Sequence, residues 1–92
     1  MVTAIVALKV ERKKVNEVAS QLAAIDSITE VYSVSGRYDL IALVRTKDTE
    51  TLAAIVTGSM LKVDGITDSE TMLAFRTYSK HDLESMFSIG SP

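Results

Sequence analysis

The chain has 92 residues, enough for one small domain that buries roughly 60–65% of its unfolded surface. Its 47% hydrophobic and 24% charged residues exclude a disordered tail, and its 10 Lys plus Arg, scattered among 12 Asp plus Glu, exclude an electrostatic footprint for direct nucleic-acid binding. The absence of cysteine excludes a disulfide scaffold, a thiolate nucleophile and a cysteine metal site, and is compatible with a cytoplasmic location.

Residues 2–10 alternate, with Val2, Ala4, Val6, Leu8 and Val10 on one side and Thr3, Ile5, Ala7 and Lys9 on the other, the pattern of a strand. The segment is short, no basic region precedes it and no small-residue cleavage site follows it, so it is read as a strand and not a signal peptide. Nor does any apolar run reach the roughly 20 residues that span a bilayer. Arg12, Lys13 and Lys14 suit a solvated turn. The period then changes. Val15, Val18, Ala19, Leu22 and Ile25 recur at helical spacing, which predicts a helix over 13–25. Residues 28–35 alternate again, with Ile28, Tyr32 and Val34 expected on one side and Val31 on the other.

A tight glycine turn, Ser35 to Asp39, leads into an unbroken apolar strand over 40–44. Asp48 reads as an N-cap, with Glu50 in the first turn of a second helix. Leu52, Ile55, Val56, Met60 and Val63 form its apolar stripe; Gly58 inside it is expected to permit close packing on the sheet, and Gly65 ends it. Residues 67–78 read as a last strand. In the tail, Leu83, Met86 and Phe87 fall at i, i+3, i+4 before Gly-Ser-Pro.

The order strand, helix, strand, strand, helix, strand predicts an α+β fold: a ferredoxin-like βαββαβ arrangement with a four-stranded antiparallel sheet and both helices on one face. The domain is expected over 1–80, with 81–92 as a C-terminal tail. The other face of the sheet should be polar in a monomer, yet Ile5 and Ala7, Leu40 to Val44, and Met72 to Phe75 are apolar on both sides. A second copy packed sheet to sheet in a two-fold dimer is the expected cover; the apolar tail residues are the alternative.

The chemistry of catalysis is sparse. The single histidine, His81, lies in a polar tail beside Asp82 and Glu84, where a solvated helix start is expected and no metal site is assigned. No nucleophile motif or phosphate loop is present, so the chain is read as a non-enzyme without cofactor or metal. A binding site draws on two stretches. The turn places the Asp39 carboxylate beside the Tyr38 phenol and beside main-chain amides freed by Gly36, a set that suits the ammonium and carboxylate of an amino acid. The segment 67–71 alternates, and Thr67, Ser69 and Thr71 offer three hydroxyls in a row. A plain hairpin turn and a β-branched edge strand explain the same residues without a ligand.

The Ser-Gly-Arg-Tyr-Asp hairpin running into an apolar strand, followed by Gly65-Ile66 and the Ser69-x-Thr71 pattern, resembles the C-terminal effector-binding (RAM) domain of the Lrp/AsnC feast/famine regulators. The resemblance covers about residues 2–78. The family's helix-turn-helix is not in this sequence, which starts at the first strand of the effector domain, so the chain looks like a stand-alone RAM form and DNA binding is not carried over. The resemblance implies a sheet-to-sheet homodimer, often assembled further into a ring of four dimers, and an amino-acid effector held between dimers. Gly36, Arg37, Tyr38 and Asp39 would come from one side and Ser69 and Thr71 from the other. Asp39 would meet the ammonium, and amides near Gly36 with the hydroxyls would meet the carboxylate. It further implies modulation of transcription through mixed assembly with a full-length regulator. The alternative readings are an ACT-like amino-acid domain, which has the same element order, a small dimeric α+β-barrel enzyme of the monooxygenase or isomerase kind, which has the same sheet-to-sheet dimer, and a ligand-free structural oligomer.

Overall fold

The computed structural model describes residues 1–80; the tail stripe Leu83, Met86 and Phe87 and the histidine His81 lie outside the described residues. Strand β1 spans Val2–Val10, β2 Ile28–Ser33, β3 Leu40–Thr46 and β4 Ile66–Leu73. A 3-10 turn at Arg12–Lys14 leads into helix α1, Val15–Ala23, and helix α2, Thr49–Ala54, continues as a π-helical segment over Ile55–Met60. The strands lie in the order β2-β3-β1-β4 and every pairing is antiparallel, which is the ferredoxin-like arrangement expected from the alternation of periods.

Register assigns the two faces. Ala4, Val6 and Leu8 of β1 pair with Val44, Ala42 and Leu40 of β3, and all six are buried beneath the helices with Val18 and Leu22 of α1 and Leu52 of α2. Full burial of each leucine contributes on the order of 1.5–3 kcal/mol. Met60, from the π-helical segment, closes the same core. Asp48 caps α2 as its sequence position predicts: Oδ1 accepts the Thr51 N–H at 2.7 Å, satisfying one of the donors left free at a helix start.

Several expectations are corrected. Strand β4 ends at Leu73, not Tyr78, because its partner runs out: the Ala74 N–H still bonds the Thr3 carbonyl, and β1 begins one residue earlier at Val2. For the converse reason β3 continues to Thr46, which pairs with Val2. In β2 the register shifts between Ile28 and Glu30, so Ile28 and Val31 both pair with core residues and Tyr32 stands on the other face. One extra residue in a bulge inverts the alternation beyond it. Gly58 does not permit a close approach: a Cβ there would meet nothing within 4 Å. Gly65 has the demanding position, with φ of +109° and a would-be Cβ 3.0 Å from both Val18 Cγ2 and Lys14 Cδ. Only glycine lets β4 start that close to α1.

The face of the sheet away from the helices is open in the single chain. Ile5, Ile41 and Leu43 are half-buried there, and Tyr32 and Met72 are 44% and 43% exposed. Beyond the sheet, Phe75 is 95% exposed. No helix among the described residues is long and apolar enough to cross a membrane.

Candidate ligand-binding site

The hairpin between β2 and β3 is tied to the sheet at its base. Val34 donates its N–H to the Asp39 carbonyl at 3.0 Å, and Asp39 donates its own to the Leu8 carbonyl at 2.9 Å. Gly36 supplies the turn with φ of +107°, and nothing lies within 4 Å of where its Cβ would be, so the turn projects into open space. Val34, Ser35, Gly36 and Arg37 are exposed, whereas Tyr38 and Asp39 are half-buried.

The Tyr38 and Asp39 side chains of the turn already have partners. Asp39 Oδ2 accepts the main-chain N–H of Val10 at 2.8 Å, adding a rung where the β1–β3 ladder ends. That bond engages Oδ2 and not Oδ1. The Tyr38 phenol donates to Glu70 Oε2 of β4 at 2.9 Å, crossing the end of β1. This hydrogen bond is the main reason that the phenol titrates above its ordinary value; desolvation and the Glu70 charge act in the same direction.

Strand β4 divides its residues between the two faces. Ser69, Thr71 and Leu73 pair with Leu8, Val6 and Ala4 and therefore lie on the helix side. Glu70 and Met72 pair with Ala7 and Ile5 and lie on the open face. Ser69 borders a shallow apolar cleft floored by Val6 and Leu8 and walled by Val56, Met60 and Ile66. Thr67 is set apart from the other two hydroxyls, because the register shifts between Lys9 and Val10 and its Oγ1 donates to the Lys9 carbonyl at 3.2 Å.

Within one chain, then, Gly36, Arg37, Tyr38 and Asp39 are contiguous on the hairpin, and Tyr38 reaches the open face. Ser69 and Thr71 share the opposite, helix-side face. The residue that meets the hairpin is Glu70, which sequence reasoning left out. Its signal was available: strand alternation sets Glu70 on the face opposite the hydroxyls on either side of it. Val10 carried no signal, because its part is played by the main chain. Among the described residues no group of three or more acidic or histidine side chains is arranged to hold a metal ion.

Comparison with known proteins gives the family and the fold. The model of the Lrp/AsnC ligand binding domain matches residues 3–83. The HTH-type transcriptional regulator FL11 of Pyrococcus abyssi is 37% identical over 79 residues, 84% of this chain and 50% of that protein. The chain thus spans about half the length of the curated relatives it matches. The crystal structure of TTHA0845 from Thermus thermophilus is 42% identical with a TM-score of 0.82, covering 87% of this chain and 100% of that one. The transcriptional regulator NMB0573 of Neisseria meningitidis, solved as a complex with L-Met, shares the fold at a TM-score of 0.76 and 14% identity, over 85% of this chain and 52% of that one.

Proposed function

This chain belongs to the Lrp/AsnC family through its ligand-binding domain, and from that premise we propose that it is an amino-acid-sensing domain that modulates transcription regulators through the assemblies it forms. The relatives are named as transcription regulators, which supports a regulatory and not an enzymatic role. Such a domain works in the cytoplasm. The fold of NMB0573, complexed with L-Met, lends support to an amino acid as the ligand class.

The observation that carries the reading is the division of the binding residues between two faces of one sheet. Tyr38 reaches the open face, while Ser69 and Thr71 lie on the helix side. The two sets then meet one ligand where the hairpin of one chain faces the β4 strand of another. Gly36, Arg37, Tyr38 and Asp39 then receive the ammonium and part of the carboxylate, with Asp39 Oδ1 as the anionic contact, and Ser69 and Thr71 donate hydroxyls from the facing chain. A site of that construction makes effector binding and assembly one equilibrium, which is how a domain without catalytic groups transmits a signal.

The assembly begins with the open face. Half-buried Ile5, Ile41 and Leu43 with exposed Tyr32 and Met72 form an apolar surface that a second copy covers by sheet-to-sheet packing about a two-fold axis. Dimers then join through the composite sites into a ring, with four dimers as the expected size. A full-length regulator of the same family, carrying the same open face, is the expected partner for mixed assembly.

The test is a thermal-shift screen against the twenty standard amino acids, with native mass measurement of the assembly alongside. A ligand that binds the folded state raises its stability by about 2.7 kcal/mol at a hundredfold excess over Kd. Upward shifts confined to one or two amino acids support the sensor. A flat response with the oligomer intact replaces it with a structural adaptor.

A further inference from the structure

The hairpin has little to hold it. Its tip is exposed, no atom lies within 4 Å of the space beside Gly36, and its main-chain bonds all fall at its base, to β1 and within the turn. Among the described residues, the side-chain hydrogen bond that carries it past β1 runs from Tyr38 to Glu70 at 2.9 Å. Ala7, the register partner of Glu70 on the intervening strand, is 1% exposed although it stands on the open face. The bond therefore spans a small residue, and the alanine gives the phenol its path across β1.

We infer that Glu70 is a positioning residue for the ligand site: it fixes the Tyr38 phenol, and with it the Gly36 to Asp39 turn, in the orientation that an effector meets. The inference rests on the effector-site reading above. It assigns Glu70 no contact with the effector. The residue acts as a hydrogen-bond acceptor, a part that a neutral carbonyl oxygen at the same place also fills, although the charge strengthens the bond. The position has a second consequence. Glu70 is flanked in β4 by Ser69 and Thr71, whose hydroxyls, in the effector-site reading, serve the neighbouring chain's hairpin. One strand thus orients its own chain's half of one site and supplies the other half of the next.

Two variants separate these roles. Glu70→Ala removes the acceptor; Glu70→Gln keeps a carbonyl acceptor and removes the charge. Two readouts are taken on the whole chain: amide hydrogen exchange at Val34 and Asp39, and the thermal shift produced by a mixture of the twenty standard amino acids. In Glu70→Ala, exchange at the hairpin amides is expected to rise roughly fivefold, the effect of one lost hydrogen bond, and at least half of the amino-acid shift is expected to vanish. Glu70→Gln is expected to restore both. Unchanged exchange in Glu70→Ala would overturn the positioning role. Failure of Glu70→Gln to rescue the amino-acid shift, with exchange restored, would overturn it in favour of a direct charge contact. A wild-type chain that gives no shift with any amino acid, while exchange responds as expected, overturns the effector reading and leaves Glu70 with the hairpin alone.

Discussion

Asp39 and Val10, 29 positions apart, are joined by a hydrogen bond from the Val10 main-chain N–H to Asp39 Oδ2 at 2.8 Å. The residue that looks most like a ligand contact in the sequence is thus also the last rung of the β1–β3 ladder. Under the proposed ligand role, the two oxygens of one carboxylate would divide structure and recognition between them.

Substitution at Asp39 should separate those roles. Asp39→Ala leaves the buried Val10 with an unpartnered N–H and is expected to cost roughly 1–3 kcal/mol of stability. Asp39→Asn keeps a carbonyl oxygen for Val10 and should unfold within about 1 kcal/mol of wild type, while amino-acid binding is lost with the negative charge. Urea unfolding and the thermal-shift screen on the two variants measure the two effects. Binding that survives Asp39→Asn would remove Asp39 from the ligand set.

The two left-handed glycines should differ in cost. At Gly36 a side chain meets open space, so Gly36→Ala carries backbone strain alone, about 1–2 kcal/mol. At Gly65 the same strain is joined by contacts at 3.0 Å with Val18, which is fully buried and stiff at its branched Cβ, and at 3.2 Å with Lys14 Cβ. Gly65→Ala is expected to be the more destabilising by about 1 kcal/mol or more. Urea midpoints for the two variants decide it, and equal values would mean that α1 moves aside freely.

Acid should loosen the start of α2 and the junction of α1 with β4 together. Hydrogen bonding from Thr51 holds the Asp48 carboxyl below its usual range, and the hydrogen bond and charge of Lys14 do the same for Asp64. Both groups therefore bind fewer protons folded than unfolded. Their stabilisation is complete above the unfolded value of about 3.9 and is lost as pH falls through the lower folded values. Asp64 lies in an ion pair with Lys14 at 2.6 Å, and Lys14 is also 3.4 Å from Glu11. Asp64→Asn should flatten the acid limb of stability against pH, measured by urea midpoints between about pH 5 and pH 2. An unchanged slope would mean that the pair contributes nothing measurable, as exposed pairs often do.

The fold was legible because its signals are periodic. Alternation in residues 2–10, helical spacing from Val15 to Leu22, the Asp48 cap and the glycines at 36 and 65 each act through local chemistry. What escaped the sequence depends on partners. The bulge after Ile28 puts Tyr32 on the face opposite the one its spacing with Ile28 suggests, and bulges leave no period of their own. The π-helical turn over Ile55–Met60 carries the same apolar residues an α-helix would. At the site, the hairpin residues were visible as a turn with a carboxylate and a phenol, yet their partners, the Val10 N–H and Glu70, lie 29 and 32 positions away. Register alone brings those groups together, and register is a property of the sheet.

Leu40 and Ile41 are neighbours in β3 and should answer the same substitution in opposite ways. Leu40 is fully buried under the helices, and an aspartate there places an unpaired charge in the core. Leu40→Asp is expected not to fold. Ile41 stands on the open face, paired with Ala7 and Tyr32. Ile41→Asp should fold, because the single chain leaves that face to solvent, yet it should not dimerise, since two-fold packing places a buried charge in the interface from each copy. Far-ultraviolet circular dichroism reports folding and native mass reports assembly. If Ile41→Asp keeps the wild-type oligomer, the open face is not where two copies meet. If it unfolds the chain, the protomer has no stability apart from its partner, and the apolar residues of that face belong to the core of the dimer.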